Sequence, residues 1–199
     1  MFYHGPVEPP AAMKPSAKAL NAMHALYWRE NFLGTCFAIG PRVIITAGHH
    51  YNAAKDDVGE FSLRSPSLPR SVFVEYAAKN SVHDLLVLWV DMDVEHVDLR
   101  AFLPPIQARV ATVWLSTKWP HQDVVSPGVV VESSVDSCLA RGTVSTTGSS
   151  GAPVIDCFGD HIVGMHLTSD TRDGSRVSGF LPSRKIVSIL SEMGVASRS

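Results

Sequence analysis

The sequence has no hydrophobic run near the roughly 20 residues that a membrane-spanning helix needs. Its first residues also lack the basic and then apolar order of a secretion signal. The chain also has no large excess of positive or negative charge, because its 17 Lys and Arg residues nearly balance its 19 Asp and Glu residues, for a formal net charge of −2. Proteins that bind nucleic acid usually carry an excess of basic charge. These absences predict no membrane segment, no export and no nucleic-acid partner.

Cysteine is scarce, and the common metal and nucleotide motifs are missing. Cys36, Cys138 and Cys157 are three in number, so they cannot all pair within one molecule, which favours a reducing compartment. No Cys-x-x-Cys or His-Glu-x-x-His string accompanies the nine histidines, and the adjacent His49 and His50 tend to point apart. No Gly-x-x-x-x-Gly-Lys phosphate loop is present. The sequence therefore predicts neither a metal site nor a bound cofactor.

Short apolar runs separated by Gly and Pro turns dominate the chain. With 45% hydrophobic residues, 199 residues can bury a substantial core in one domain or in two small lobes. Runs of this kind predict antiparallel strands, which protect their edges by closing into barrels. The predicted strands are 32–39, 42–47, 71–76, 84–90, 110–115, 124–125, 129–131, 138–144, 153–156, 162–167 and 177–181, with a turn at 126–128.

Helices are predicted near the two ends. Ser16 can cap a helix in which Leu20, Met23 and Tyr27 recur at helical spacing, and a final helix is predicted at 183–193. The resulting organisation is an N-terminal extension with a short helix (1–31), a first barrel (32–97), a linker (98–107), a second barrel (108–182), and a C-terminal helix and tail (183–199).

The segment 148–153, Gly-Ser-Ser-Gly-Ala-Pro, places serine between glycines just before an apolar strand. Gly148 lets the backbone turn its N–H groups inward, and Gly151 leaves room for a substrate carbonyl beside Ser150. The loop can thus supply both an attacking oxygen and donors to an oxyanion. Taken alone, the same string is more often a flexible turn.

A serine hydroxyl attacks an amide only when an imidazole takes its proton and a carboxylate orients that imidazole. His49 follows the apolar segment 43–48, and Asp84 opens the apolar segment 85–90. Each residue has an ordinary explanation by itself, as a surface histidine after a strand or as a turn-forming aspartate. Asp136 and Asp156 are rival carboxylates. The ordered set of histidine, aspartate and serine is what indicates catalysis.

Three segments resemble the His, Asp and Ser motifs of chymotrypsin-like serine proteases. They are Thr-Ala-Gly-His at 46–49, Asp-Leu-Leu-Val-Leu at 84–88 and Gly-Ser-Ser-Gly-Ala-Pro at 148–153, in the order of that family. Their spacing is shorter than in digestive trypsins and is similar to that of the compact polyprotein-processing proteases of positive-strand RNA viruses, such as those of sobemoviruses, poleroviruses, arteriviruses and astroviruses. The resemblance covers roughly residues 32–181. It implies an all-β fold of two antiparallel six-stranded barrels with short N- and C-terminal helices.

The resemblance implies the role of each site residue. Ser150 is the nucleophile, His49 the general base and Asp84 the residue that orients His49, with Gly148, Ser149 and Ser150 forming the oxyanion hole. His49 is preferred to His50 because it directly follows Thr-Ala-Gly, and Asp84 is preferred because it stands at the position of the family's aspartate. His50 occupies the place of a disulfide cysteine in secreted relatives.

The residue before the cut is predicted from Ser145 and His166. In the viral relatives a Gly-x-His segment, here 164–166, lines the pocket for that residue opposite a hydroxyl five positions before the nucleophile. A hydroxyl and a neutral imidazole both donate to a carboxylate or amide oxygen, which favours Glu or Gln. Val144 stands where trypsin-like enzymes carry an acid, so Arg and Lys are disfavoured. The alternative is that His166 is simply a partly buried strand residue. Ser145 also departs from the viral pattern, which usually has threonine at this position.

The sequence thus predicts a serine endopeptidase whose substrate is a polypeptide, namely a viral polyprotein, and whose location is the host cytoplasm. Two alternatives stay open: a cellular stress protease of the HtrA type, and a noncatalytic binding module with the same fold. Trp114 and Trp119 near Lys118 allow a peptide-binding patch or core packing at a barrel end.

Overall fold

Strands are the main regular secondary structure of residues 14–195, which are the residues that the computed structural model describes. They form two closed barrels, in the orders β1-β2-β3-β6-β5-β4 and β10-β11-β12-β9-β8-β7. Every pairing is antiparallel, which confirms the predicted fold of two six-stranded barrels. The parts of the predicted terminal segments at 1–13 and 196–199 lie outside the described residues.

The strands and helices have the following bounds. The first barrel consists of β1 (Met23–Trp28), β2 (Asn31–Gly40), β3 (Val43–Ala47), β4 (Phe61–Arg64), β5 (Val72–Asn80) and β6 (Leu85–Val90). The second consists of β7 (Arg109–Leu115), β8 (Asp123–Ser133), β9 (Cys138–Arg141), β10 (Pro153–Asp156), β11 (Ile162–Arg172) and β12 (Ser175–Pro182). The α-helices are α1 (Ala17–Asn21) and α2 (Ser183–Glu192), and short 3-10 helices lie at Gly48–His50 and Val58–Glu60. None of these helices is long and apolar enough to cross a membrane.

The first barrel begins earlier than the sequence predicts. Helix α1 ends at Asn21, and β1 lies inside the segment 1–31 that the sequence predicts to be an N-terminal extension. Along β1, Met23, Ala25 and Tyr27 pack into one apolar cluster and Leu26 packs into another, so side chains alternate as in a strand. The helical spacing of Leu20, Met23 and Tyr27 was misleading because both faces of β1 are buried. Strand β4 was missed as well.

Residues 126–128 do not form the predicted turn. Strand β8 runs unbroken through them, with Ala111 opposite Pro127, and its pairing with β9 starts only at Val129. Proline lacks the N–H of a strand ladder and is tolerated where a strand is paired on one side. Pro127 occupies such a stretch, which explains why the Ser-Pro-Gly signal does not end the strand.

One apolar cluster contains side chains from both barrels and joins them. Phe37, Ile45 and Leu85 of the first barrel share it with Leu115 and Met165 of the second. Side chains of α2 close the same cluster, namely Ile186, Ile189 and Leu190. Two separate clusters fill the individual barrels. The shared cluster fixes the relative position of the barrels, and hence of loops that are distant in sequence.

Candidate active site

His49 and Asp84 meet where β3 and β6 run side by side. Ala47 pairs with Leu85, so the residues just after β3 lie beside those just before β6. The Nδ1–H of His49 donates to Asp84 Oδ2 at 2.8 Å. Nearby, the Gly48 N–H donates to the Asp84 carbonyl at 2.7 Å, and a Cβ on Gly48 would lie 2.9 Å from Asp84 Oδ1. Both side chains remain partly exposed, at 48% and 35%.

Ser150 lies on a tight loop between two glycines with left-handed backbone. Gly148 has φ +98° and Gly151 has φ +85°, values that residues with a side chain rarely adopt. A Cβ on Gly151 would lie 2.6 Å from the Thr35 carbonyl oxygen, so this part of the loop packs directly on β2. The Gly151 N–H donates to the His166 carbonyl at 2.9 Å, which ties the loop to β11.

Thr35 of β2 anchors the start of the loop. Its N–H and its hydroxyl both donate to the Gly148 carbonyl, at 3.1 and 2.9 Å. The same hydroxyl accepts from the Leu115 N–H of β7 at 3.0 Å. Thr35 is fully buried, so these bonds are shielded from water. One side chain of the first barrel therefore holds both the nucleophile loop and a strand of the second.

The free N–H groups of the loop define where an oxyanion can bind. The Ser149 N–H donates to the Thr146 carbonyl at 3.1 Å, and the Ser149 hydroxyl donates to the same oxygen at 2.8 Å. Within residues 14–195, the N–H groups of Gly148 and Ser150 make no hydrogen bond. The N–H groups of Gly148 and Ser150 are therefore available to an oxyanion, whereas the Ser149 N–H is already bonded.

His50 connects the two halves of the site. Its ring packs against His49 with centroids 4.7 Å apart, and its Nε2–H donates to the Ser150 carbonyl at 3.2 Å. Burial lowers the pKa of His50 to about 4, although the Ser150 carbonyl and Asp84 oppose this shift. The ring is therefore neutral at pH 7. Sequence reasoning missed this role, because it considered His50 only as a rival base and as the residue that replaces a disulfide cysteine of secreted relatives.

The structure thus brings His49, Asp84 and Ser150 into one site where the barrels meet. The hydrogen bonds among the described residues do not include one between the Ser150 hydroxyl and His49. Such bonds are often long in sites without substrate and shorten when substrate binds. The rival carboxylates lie elsewhere: Asp136 pairs with Lys185 at 2.9 Å, and Asp156 accepts from the Asp160 N–H at 3.2 Å.

The predicted specificity residues, His166 and Ser145, each bond a neighbouring segment of the second barrel. His166 is 2% exposed, and its N–H donates to the Ala152 carbonyl at 2.8 Å. Its buried Nδ1 has no partner among residues 14–195, and burial lowers the pKa of the ring to about 4. The Ser145 hydroxyl hydrogen-bonds the Ser169 hydroxyl of β11. Ser169 was not predicted, because nothing distinguishes an exposed strand serine until β11 is placed opposite Ser145.

Two further expectations concern tryptophan and metal. Trp114 is 4% exposed and packs in the interior, whereas Trp119 is 58% exposed. Trp119 stands edge-on to His121, which stacks on Phe32. No group of three His, Cys, Asp or Glu side chains is placed to hold a metal in the described part of the chain.

Comparison with known proteins identifies the fold. No protein-family model matches the sequence, and no curated protein matches it. Solved structures do match: the Rv3671c protease from M. tuberculosis in its active form has a TM-score of 0.72 at 16% identity, covering 98% of this chain and 94% of that chain. Neuropsin, a serine protease from mouse brain, has a TM-score of 0.69 at 14% identity, covering 89% and 96%. Kallikrein-related peptidase 10 in complex with Zn²⁺ has a TM-score of 0.70 at 13% identity, covering 90% and 98%.

Proposed function

We propose that this chain, which has the two-barrel fold of chymotrypsin-like serine proteases, is a serine endopeptidase. The observation that carries the proposal is the 2.8 Å hydrogen bond between His49 and Asp84, in the same site as the loop that presents Ser150. A fold by itself does not imply an activity, but the arrangement of these three residues suits one reaction class.

Each residue has one task in that reaction. Ser150 attacks the peptide carbonyl while the free Nε2 of His49 takes its proton, and Asp84 stabilises the imidazolium that forms. The N–H groups of Gly148 and Ser150 bind the oxyanion of the tetrahedral intermediate. His49 then protonates the leaving amine, and the Ser150 acyl ester remains. Water, deprotonated by His49, hydrolyses that ester and restores the enzyme.

Covalent labelling with a fluorophosphonate tests the activity, because only an activated serine reacts. The expected result is one adduct on the intact protein, located at Ser150 by peptide mass analysis, and no adduct in Ser150→Ala. Ser191→Ala, on the exposed surface of α2, is the matched control and should be labelled like the unsubstituted protein. A folded protein that gives no adduct at Ser150 would contradict the proposal and favour a noncatalytic binding module.

The proposed substrates are polypeptides with Glu or Gln before the cut. Ser145, Ser169 and the neutral ring of His166 supply donors that suit a carboxylate or amide oxygen. The buried Nδ1 of His166, which has no partner among residues 14–195, would stay unpaired beside an apolar side chain. Profiling with peptides that vary at this residue is the test. A preference of about 10-fold or more for Glu or Gln is expected, while a preference for apolar residues would contradict this pocket.

The proposed biological role is the processing of a viral polyprotein in the host cytoplasm. The three cysteines are free in the structure, and two of them, Cys36 and Cys138, are buried. Free buried thiols suit a reducing compartment. We therefore expect full activity on Glu peptides in the presence of a thiol reductant. Loss of activity on reduction would contradict the proposed location.

A further inference from the structure

We infer that His50 is a positioning residue: its ring fills the space over Gly34, and its Nε2–H holds the Ser150 carbonyl, which sets the distance between the nucleophile loop and His49. The inference rests on the proposed proteolytic function for its kinetic consequences. Its structural part, a fixed tautomer and a bond between barrels, can be tested without any activity.

The space over Gly34 is shaped for this ring. A Cβ on Gly34 would lie 2.8 Å from His50 Nε2 and 2.9 Å from the Ser150 carbonyl oxygen. Gly34 is on β2 of the first barrel, His50 follows β3 of the same barrel, and Ser150 belongs to the second. The absence of a side chain at Gly34 therefore lets an imidazole and the nucleophile loop meet at one point.

The chemistry of the contact defines the state of His50. A main-chain carbonyl can only accept, so Nε2 must carry the proton. Burial keeps the ring neutral, and the groups that act on its charge are His49, which lowers its pKa, and Asp84, which raises it. A neutral ring beside His49 adds no positive charge that would oppose the imidazolium formed during catalysis. The bond can thus persist through the whole reaction.

The contact acts on the residue that does the chemistry. Ser150 carries both the carbonyl that His50 holds and the hydroxyl that attacks. The start of the loop is already fixed, because Thr35 holds the Gly148 carbonyl. His50 adds a bond from the first barrel at Ser150 itself, two residues further along. Between these points the N–H groups of Gly148 and Ser150 stay directed to one place, so losing the His50 bond should slow catalysis more than it weakens substrate binding.

The kinetic test compares His50→Leu, which fills the space without a donor, with His50→Gln, whose amide nitrogen can replace Nε2. We expect His50→Leu to lower kcat by about 10- to 100-fold with KM changed less than about threefold, as for the loss of one buried hydrogen bond. His50→Gln should recover most of this loss. His161→Gln, an exposed histidine on the turn before β11, is the control and should behave like the unsubstituted protein. Equal kcat in His50→Leu and the unsubstituted protein, or equal loss in both His50 variants, would overturn the inference.

The spectroscopic test uses the unsubstituted protein. Nitrogen-15 NMR of the imidazoles should show His50 neutral and protonated on Nε2 from pH 6 to pH 8. A charged ring, or the Nδ1–H tautomer, would overturn the inference even if the chain is a protease. The two experiments can disagree. If NMR gives the expected spectrum but the fluorophosphonate does not label Ser150, the bond between His50 and Ser150 is supported and the proposed protease function is contradicted.

Discussion

At the scale of residues, Asp84 contributes both an unusual backbone conformation and a carboxylate to the site. Its backbone is left-handed, with φ +54°, a conformation that aspartate tolerates better than most residues. This conformation occurs directly before β6, at the residue whose carboxylate accepts from His49. Local strain of about 1–3 kcal/mol at such positions is a common feature of functional sites. The sequence motif therefore depends on Asp84 for backbone geometry as well as for charge.

Replacing Asp84 tests its role in orienting His49. Asp84→Asn keeps the size of the side chain but removes the charge that stabilises the imidazolium and fixes the tautomer. We expect kcat on a Glu peptide to fall by about 10³- to 10⁴-fold, as in other sites of this geometry.

The matched control for that change is Asp136→Asn. Asp136 is a rival carboxylate in the sequence, and it pairs with Lys185 on the surface, where an ion pair contributes little. We expect its kcat to stay within about twofold. A larger loss in Asp136→Asn than in Asp84→Asn would show that the wrong carboxylate has been assigned.

At the scale of elements, the loop 148–151 depends on close packing as well as on its own turn. A Cβ on Gly151 would meet the Thr35 carbonyl oxygen at 2.6 Å and the Ala47 nitrogen at 2.8 Å. The loop therefore rests on β2 and on the end of β3, next to the segment that carries His49. Packing of this kind leaves no room for even one methyl group.

We expect Gly151→Ala to lower both stability and activity. The substitution combines a left-handed φ with a collision against backbone, and overpacking of this kind typically costs about 1–3 kcal/mol in the free energy of unfolding. Urea unfolding together with fluorophosphonate labelling measures the two effects.

Gly174→Ala is the matched control for Gly151→Ala. Gly174 also has a left-handed backbone, with φ +74°, but a Cβ there would meet no described atom within 4 Å. Gly174→Ala should lower the free energy of unfolding only by the cost of a left-handed backbone, about 1–2 kcal/mol. Its labelling by the fluorophosphonate should be normal. Equal effects at the two glycines would mean that the loop does not pack on β2 as the structure shows.

Elements also show where sequence patterns mislead. Strand β1 is buried on both faces, so it lacks the alternation of polar and apolar residues by which strands are recognised. Strand β8 contains a turn-like Ser-Pro-Gly, yet Ser126 is buried and its hydroxyl accepts from the Val144 N–H at 2.7 Å. In both cases the neighbouring strands decide the local structure.

At the scale of the whole molecule, three buried neutral histidines link stability to pH. Burial lowers the pKa of His24, His50 and His166 to about 4, from an ordinary value near 6.5. The unfolded chain therefore binds more protons than the folded protein between about pH 6.5 and pH 4. Stability from these groups is fully present above pH 6.5 and is lost as pH falls toward 4, by up to about 1.4 kcal/mol per pH unit for each histidine.

We expect the urea midpoint to fall steeply between pH 6.5 and pH 4.5 and to change little between pH 7 and pH 8. His24→Asn removes one of these groups while its amide can still bond the Ser65 hydroxyl, which lies 3.1 Å from His24 Nδ1. The number of protons taken up on unfolding, given by the slope of the unfolding free energy against pH, should then fall by about one. An unchanged midpoint from pH 7 to pH 4.5 would contradict the neutral state of these rings.

The sequence by itself determined the fold class and indicated the three residues proposed to react, because glycines around Ser150 and apolar strands beside His49 and Asp84 are local patterns. It could not predict the contribution of Thr35, His50 and Ser169. These residues act through partners far away in the chain, and their spacing in sequence contains no signal of that proximity. Only the closure of two barrels on a shared apolar cluster brings those partners within hydrogen-bond distance.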